Sequence, residues 1–235
     1  MPARNDQKAI TFDAYGTLFD VYSVGALAEE LFPGMGGRLA AVWRTAQIDY
    51  TRIRTLSDRY CDFWEITGDA LLFAARSLGL ELTPGRRDAL MDQYARLAAF
   101  PEAPGVLRDL KTKGFALAIL SNGSGPMLSS AIASAGMEGL FTHVLSVDQV
   151  QKYKTAPEAY QLAPDAFLRP AAEVIFVSSN SWDICGATWF GFRTFWINRA
   201  ANPLDVLGIA PHGEGRTLAD LAAFVTNEHP AAGAL

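Results

Sequence analysis

Ala9-Ile10-Thr11-Phe12-Asp13-Ala14-Tyr15-Gly16-Thr17 decides how this chain folds. A short apolar run with a β-branched residue reads as a buried strand. Here it ends on a carboxylate and on a glycine that lets the backbone turn sharply. Four further runs of this kind lie downstream, at Phe115–Leu120, His143–Ser146, Glu173–Val177 and Thr194–Ile197. Helical patterns follow them at Pro126–Gly136, Pro157–Phe167, Trp182–Phe190 and Leu218–Asn227. Strand and helix in alternation predict an α/β fold, a doubly wound, Rossmann-like parallel sheet with helices on both faces. An aspartate closing the first strand of such a sheet faces the crevice where open α/β folds bind their ligands.

Between about Val24 and Ala99 the alternation stops, and only helical periodicity remains. Leu39, Trp43, Ala46, Tyr50 and Ile53 form one apolar stripe; Phe63, Ile66, Ala70 and Phe73 form another. Pro33-Gly34, Thr83-Pro84-Gly85 and Pro101–Pro104 punctuate the segment. The expected organisation is an α/β core from residues 1–19 and 100–235, with residues 20–99 inserted as a helical cap subdomain over the strand ends.

Composition narrows the class. Half of the 235 residues are hydrophobic and the net charge is only -5, which excludes intrinsic disorder. Two cysteines, Cys61 and Cys185, are too few for a disulfide scaffold. No uncharged apolar run approaches the ~18 residues of a membrane span, so no membrane association is expected. An acidic balance argues against nucleic acid as a partner. His143, His212 and His229 are scattered, leaving little for a histidine-rich metal site. The start, MPARNDQKAITF, has no apolar secretion segment, so a cytoplasmic protein with reduced thiols is expected.

Four polar clusters fall at the ends of the expected strands: Asp13-Ala14-Tyr15-Gly16-Thr17, Ser121-Asn122-Gly123, Lys154, and Ser178-Ser179-Asn180-Ser181-Trp182-Asp183. Each has an ordinary reading alone, as a turn, a helix cap or a solvated charge. As an ordered set in one parallel sheet they converge on one crevice.

In this ordered set the chain resembles the haloacid dehalogenase superfamily. It is similar to the L-2-haloacid dehalogenase branch through Phe12–Val21, Val42-Trp43-Arg44, Ser146-Val147-Asp148, Tyr153-Lys154, Val177–Asp183, Gly191-Phe192-Arg193 and Trp196–Arg199. The superfamily's phosphatases carry a second aspartate two residues after the nucleophile, which protonates the leaving alcohol. Here that position is Tyr15. A halide is a stable anion and leaves without a proton, so the missing acid suits dehalogenation.

The resemblance implies roles residue by residue. Asp13 is similar to the nucleophile and Arg44 to the residue that meets the departing halide. Ser121 and Asn122 match the substrate-binding pair. Lys154 matches the lysine beside the nucleophile. Thr17, Tyr160, Ser178, Asn180 and Asp183 match the surrounding polar network. Tyr15, Phe63 and Trp182 look like the apolar wall near the halogen. The implied reaction is attack of Asp13 on C2 of a short L-2-haloacid, giving an ester and then a D-2-hydroxy acid with inversion. Haloacetates are also candidate substrates. Either Asp183 or Lys154 is available to accept the proton of the hydrolytic water. No metal or other cofactor is expected, and the implied partners are the haloacid substrate, the halide product and a second copy in a homodimer. The alternative is a phosphatase or another small-carboxylate hydrolase of the same superfamily. Ala14, Gly125-Pro126 and Thr155 depart from the branch's usual residues without removing a proposed catalytic group.

Overall fold

The computed structural model describes residues 8–226. Its centre is a six-stranded sheet, all parallel, formed by β1 (Ala9–Phe12), β2 (Ala116–Ser121), β3 (His143–Ser146), β4 (Val174–Ser178), β5 (Arg193–Ile197) and β6 (Gly213–Gly215). The order across the sheet is β3-β2-β1-β4-β5-β6. The chain therefore reverses direction across the sheet between β1 and β4, and a crevice opens there at the carboxyl ends.

Alternate side chains of each strand enter two separate cores, as the period of two requires. Ile175 and Val177 of β4 join Ile10, Phe12, Leu117 and Ile119 on one face. Leu107 and Leu110 from α5 (Ala103–Thr112), Leu128 from α6 (Gly125–Ser134) and Leu221 from α9 (Leu218–Thr226) cover that face. Val174 and Phe176 point the other way. There they meet Tyr160 and Ala163 of α7 (Pro157–Phe167) and Ile184 and Ala187 of α8 (Ser181–Phe190).

Between β1 and β2 come α1 (Gly25–Leu31), α2 (Gly36–Leu56), α3 (Phe63–Ser77) and α4 (Pro84–Tyr94). Asp62 starts α3 by accepting the Glu65 amide, and Thr83 starts α4 by accepting the Arg86 amide with Pro84 in the first turn. The chain leaves and re-enters the sheet layer side by side. Asp20 N–H donates to Ala98 O, and Phe100 N–H donates to Leu18 O.

Expected and observed elements differ in places with a physical reason. The apolar stripes end early: Ile53 and Phe73 are exposed, although Leu39, Trp43, Ala46, Phe63, Ile66 and Ala70 are buried. Helix α5 and strand β6 are additions. β6 reads Gly-Glu-Gly and carries no strand signal, because its glycines serve packing. A Cβ at Gly213 would approach Phe224 to 2.5 Å, and one at Gly215 would approach Asp220 to 2.4 Å. Asn227, at the expected end of the last helix, His229 and the first seven residues lie outside the described residues. No helix among the described residues is long and apolar enough to cross a membrane.

Candidate active site

Asp13 sits one residue beyond β1, and its amide donates to Val177 O in β4, so it stands at the switch point of the sheet. Its carboxylate is nearly inaccessible and its two oxygens are used differently. Oδ2 accepts from Thr17 Oγ1 at 2.8 Å, Asn180 Nδ2 at 2.9 Å and Ser178 Oγ at 3.5 Å. Oδ1 accepts from Lys154 Nζ at 3.0 Å. Three donors on one oxygen and one on the other leave Oδ1 the less encumbered of the two.

The turn after Asp13 explains why these donors can gather. Gly16 has φ +97°, a left-handed conformation that lets the chain fold back so that Thr17 Oγ1 reaches Asp13. Thr17 Oγ1 in turn accepts the Ser179 amide at 2.8 Å, tying the β1 turn to the β4 turn. Arg199, just past β5, holds the same junction. It donates to Thr17 O at 3.2 Å and to Ser179 Oγ at 2.7 Å, and it pairs with Glu102 at 2.8 Å.

Lys154 lies between two carboxylates. Its Nζ is 3.0 Å from Asp183 Oδ2 as well as from Asp13 Oδ1, and its side chain is wholly buried. Burial opposes the ammonium charge, but the Asp13 and Asp183 carboxylates outweigh it and hold the lysine pKa above its ordinary value. Lys154 therefore stays a cation. Asp183 is also fully buried, and burial pushes its carboxyl up to about 6 against the lowering effect of Lys154. Tyr160 donates to Asp183 Oδ1 at 2.8 Å.

The backbone of Lys154 is fixed from the other side of the crevice. Its amide donates to Asn122 Oδ1 at 3.0 Å, which leaves the two N–H donors of the Asn122 amide for a ligand. Ser121 Oγ accepts the Gly123 amide at 3.0 Å. Gly123 is needed there, because a Cβ would come within 2.5 Å of the Tyr15 ring. The loop before Lys154 is anchored to the inserted helices. The Tyr153 amide donates to Thr55 Oγ1 at 3.0 Å, Tyr153 Oη donates to Cys61 O at 2.6 Å, and Tyr60 Oη donates to Asp148.

Arg44 projects from α2 toward the same crevice. Its Nη2 donates to Tyr15 O at 3.1 Å and to Asn180 Oδ1 at 3.3 Å, and its Nη1 donates to Gln47 Oε1 at 2.8 Å. Tyr15 packs on Phe63 with ring centroids 5.7 Å apart and stacks on Tyr94 at 5.8 Å. An apolar wall thus stands beside a fixed guanidinium. Trp182 stands near Arg44 and is not among the rings packed on Tyr15. It lines a cavity of about 380 Å³ together with Gly16, Arg44 and Asn180, and Arg52 lies over its ring.

The structure brings Asp13, Thr17, Lys154, Ser178, Asn180 and Asp183 into one hydrogen-bonded cluster, with Arg44, Tyr15, Phe63, Ser121 and Asn122 around it. Tyr160 stands behind Asp183, fully buried against Phe176 and Phe192, so its contact is with the carboxylate rather than with the crevice. Gln47, Tyr94, Thr67 and Arg199 are neighbours that sequence reasoning did not assign. The signal for Gln47 lay in its phase: a polar residue on the face of α2 that buries Trp43 and Ala46. Cys61 is half-buried and Cys185 buried, both as free thiols.

The chain is similar to known proteins in sequence and in fold. The family described as haloacid dehalogenase-like hydrolase matches residues 7–191. The (S)-2-haloacid dehalogenase of Pseudomonas sp. (strain YL) is 47% identical, the alignment covering 90% of this chain and 91% of that protein. The haloacetate dehalogenase H-2 of Moraxella sp. (strain B) is 42% identical over 87% of this chain and 91% of its own length. Among solved structures, the L-2-haloacid dehalogenase from Xanthobacter autotrophicus with chloropropionic acid covalently bound superposes with a TM-score of 0.87 at 35% identity. That match covers 95% of this chain and all of the other. The fold, the cluster around Asp13 and these similarities agree, and the chain belongs to the haloacid dehalogenase-like hydrolases, in the (S)-2-haloacid dehalogenase family.

Proposed function

We propose that the protein hydrolyses short L-2-haloacids to D-2-hydroxy acids and halide through an ester on Asp13. The observation that carries this reading is the pair of unequal Asp13 oxygens beside a buried cation. Oδ1, touched only by Lys154, attacks C2 from the side opposite the halogen. The C–O bond forms as the C–halogen bond breaks with its electron pair, which inverts C2. Arg44 offers N–H donors to the halide as its charge grows, beside the Tyr15 and Phe63 rings that keep water away. The substrate carboxylate is held by Ser121 and Asn122.

Oδ2 then becomes the ester carbonyl oxygen. Water attacks Cγ of Asp13, and the oxyanion that develops on Oδ2 meets Thr17, Asn180 and Ser178, which already donate to it. Its collapse breaks the Cγ–Oδ1 bond, and Oδ1 leaves as the hydroxyl of the D-2-hydroxy acid, taking the proton given up by the water. The protonation directions favour Asp183 as the acceptor of the water's proton. Lys154 is held as an ammonium, whereas Asp183 with a pKa of about 6 is ionised at neutral pH and close enough to it to act as a base. Tyr160 and Lys154 orient the Asp183 carboxylate. Position 15 carries a phenol in a buried stack, with no carboxyl to protonate a leaving alcohol, which disfavours phosphate esters.

Residues 20–99 act as the cap, and the paired crossings at Leu18–Asp20 and Ala98–Phe100 support its boundaries. Trp182, in the cavity it lines with Arg44 and Asn180, is assigned to the approach of substrate rather than to the Tyr15–Phe63 wall. The protein works in the cytoplasm as a homodimer. Exposed Ile53, Leu56 and Phe73 on the cap helices are the proposed apolar contact, checked by sedimentation.

The test is halide release from L- and D-2-chloropropionate, run beside p-nitrophenyl phosphate with and without Mg²⁺. Chloride release from the L isomer with formation of the D-hydroxy acid is expected. Phosphate release without halide release would overturn the reading. Chloroacetate and fluoroacetate in the same assay set the lower limit of substrate size.

A further inference from the structure

The guanidinium of Arg44 is held by a buried polar chain that no step above requires. Gln47 is one turn along α2 from Arg44 and is almost wholly inaccessible, among Trp43, Ala46 and Tyr94. A side-chain amide in an apolar helix interface is unfavourable unless its donors and acceptor are all engaged. Here they are. Nε2 donates to Thr67 Oγ1 at 2.7 Å and lies 3.1 Å from Tyr94 Oη, and Oε1 accepts from Arg44 Nη1 at 2.8 Å.

The direction of this amide is dictated by Thr67. The single hydroxyl proton of Thr67 goes to Phe63 O at 2.6 Å, so toward Gln47 its oxygen acts as an acceptor. Gln47 must present its NH2 to Thr67 and therefore its carbonyl to Arg44. The main chain of the same turn is locked as well, since Trp43 Nε1 donates to Thr67 O at 2.8 Å. The chain from Phe63 O through Thr67 and Gln47 thus points one acceptor at one nitrogen of Arg44. Tyr15 O and Asn180 Oδ1 take the other nitrogen. Both ends of the fork are fixed, which pre-orients the remaining N–H donors.

We propose that Gln47 is a positioning residue that sets the orientation of the Arg44 guanidinium toward the departing halide, and so sets how well the poorer leaving groups are handled. This rests on the dehalogenase reading of the site. Chloride leaves with more localised charge than bromide and depends more on well-aimed donors. A loosened Arg44 is therefore felt most by chlorinated substrates.

The experiment compares the wild type with Gln47→Met, which keeps the volume and removes the polar atoms. Kcat/KM is measured for L-2-chloropropionate and L-2-bromopropionate, with inhibition by added chloride and the thermal midpoint. The expected result is a fall of roughly tenfold or more in the chloro to bromo ratio, the size of one hydrogen bond to a charged group, together with weaker chloride inhibition. Equal losses on both substrates, with unchanged chloride inhibition, would mean a packing role only and overturn the proposal. If Gln47→Met fails to fold, Thr67→Val removes the acceptor that orients the amide and must shift the same ratio in the same direction. Absence of halide release by the wild-type protein would instead refute the dehalogenase reading itself, so the two failures are distinguishable.

Discussion

Replacing Lys154 by methionine probes the electrostatics of the site most severely. Methionine fills a similar volume over the Phe176 ring and removes one buried positive charge. Asp13 Oδ1 and Asp183 Oδ2 are each 3.0 Å from Lys154 Nζ, so they lie within about 6 Å of each other. Two carboxylates at about 6 Å repel by roughly 3 kcal/mol at an effective dielectric constant near 20. That repulsion makes the pair hold a shared proton about a hundredfold more tightly, before the lost attraction to Lys154 is counted. The pair then carries a proton at neutral pH, so Asp183, whose carboxyl pKa burial already raises, is no longer free to take the water's proton and turnover stalls at the ester. Halide release by Lys154→Met at pH 7 should fall by at least about a hundredfold and recover partly as the pH is raised toward 9. Breaking a buried ion pair costs about 3–5 kcal/mol of stability unless proton uptake relieves it, so the thermal midpoint should drop less at pH 5 than at pH 8. Halide release is followed from pH 5 to 9 for both proteins, with unfolding monitored by circular dichroism. A variant with the wild-type pH profile and a rate within a few fold of wild type would refute this reasoning.

Four further outcomes follow from particular contacts. Because burial raises the Asp183 pKa to about 6, Asp183 is protonated below that pH and cannot act as a base, so kcat should fall as the pH drops through 6. The same raised pKa means the folded state binds the extra proton between about pH 4 and 6, so this group favours folding more at low pH, readable by denaturant titration. Asp183→Asn should leave the alkylation step and block ester hydrolysis, so incubation with L-2-chloropropionate should yield a protein adduct in the intact mass. Arg44→Lys keeps the charge but loses the fork to Tyr15 O, Asn180 and Gln47, and halide release should fall by about a hundredfold, as when one charge-stabilising donor is removed.

How much of this was legible in the sequence follows from what each residue does. The strands were visible because β1, β2 and β4 are buried on both faces and read as continuous apolar runs. β6 was not, because Gly213 and Gly215 are chosen for what surrounds them rather than for strand propensity. Helical phase placed Leu39 and Trp43 in the core but overran at Ile53 and Phe73, since periodicity records an apolar face without recording where its neighbour ends. Asp13, Lys154 and Asp183 stood out as polar residues at strand ends. That one ammonium is held between two carboxylates depends on packing across two loops and the first turn of α8, far apart in the chain. The choice between Asp183 and Lys154 as base was closed to sequence reasoning for the same reason, because it turns on burial and on Tyr160 behind the carboxylate. Tyr94, Thr67 and Gln47 were passed over because buried polar residues on helices look like ordinary packing positions until their partners are known.

The central claim is that Asp13 forms the ester and that water attacks its Cγ. Single-turnover reaction with excess enzyme in ¹⁸O-water tests it directly, with mass analysis of both the product and the peptide containing Asp13. The account predicts an unlabelled D-2-hydroxypropionate, whose hydroxyl oxygen comes from Asp13 Oδ1, and one ¹⁸O atom left on the Asp13 carboxylate. Label in the hydroxy acid with none on Asp13 would contradict it, since water would then have displaced the halide without a covalent intermediate.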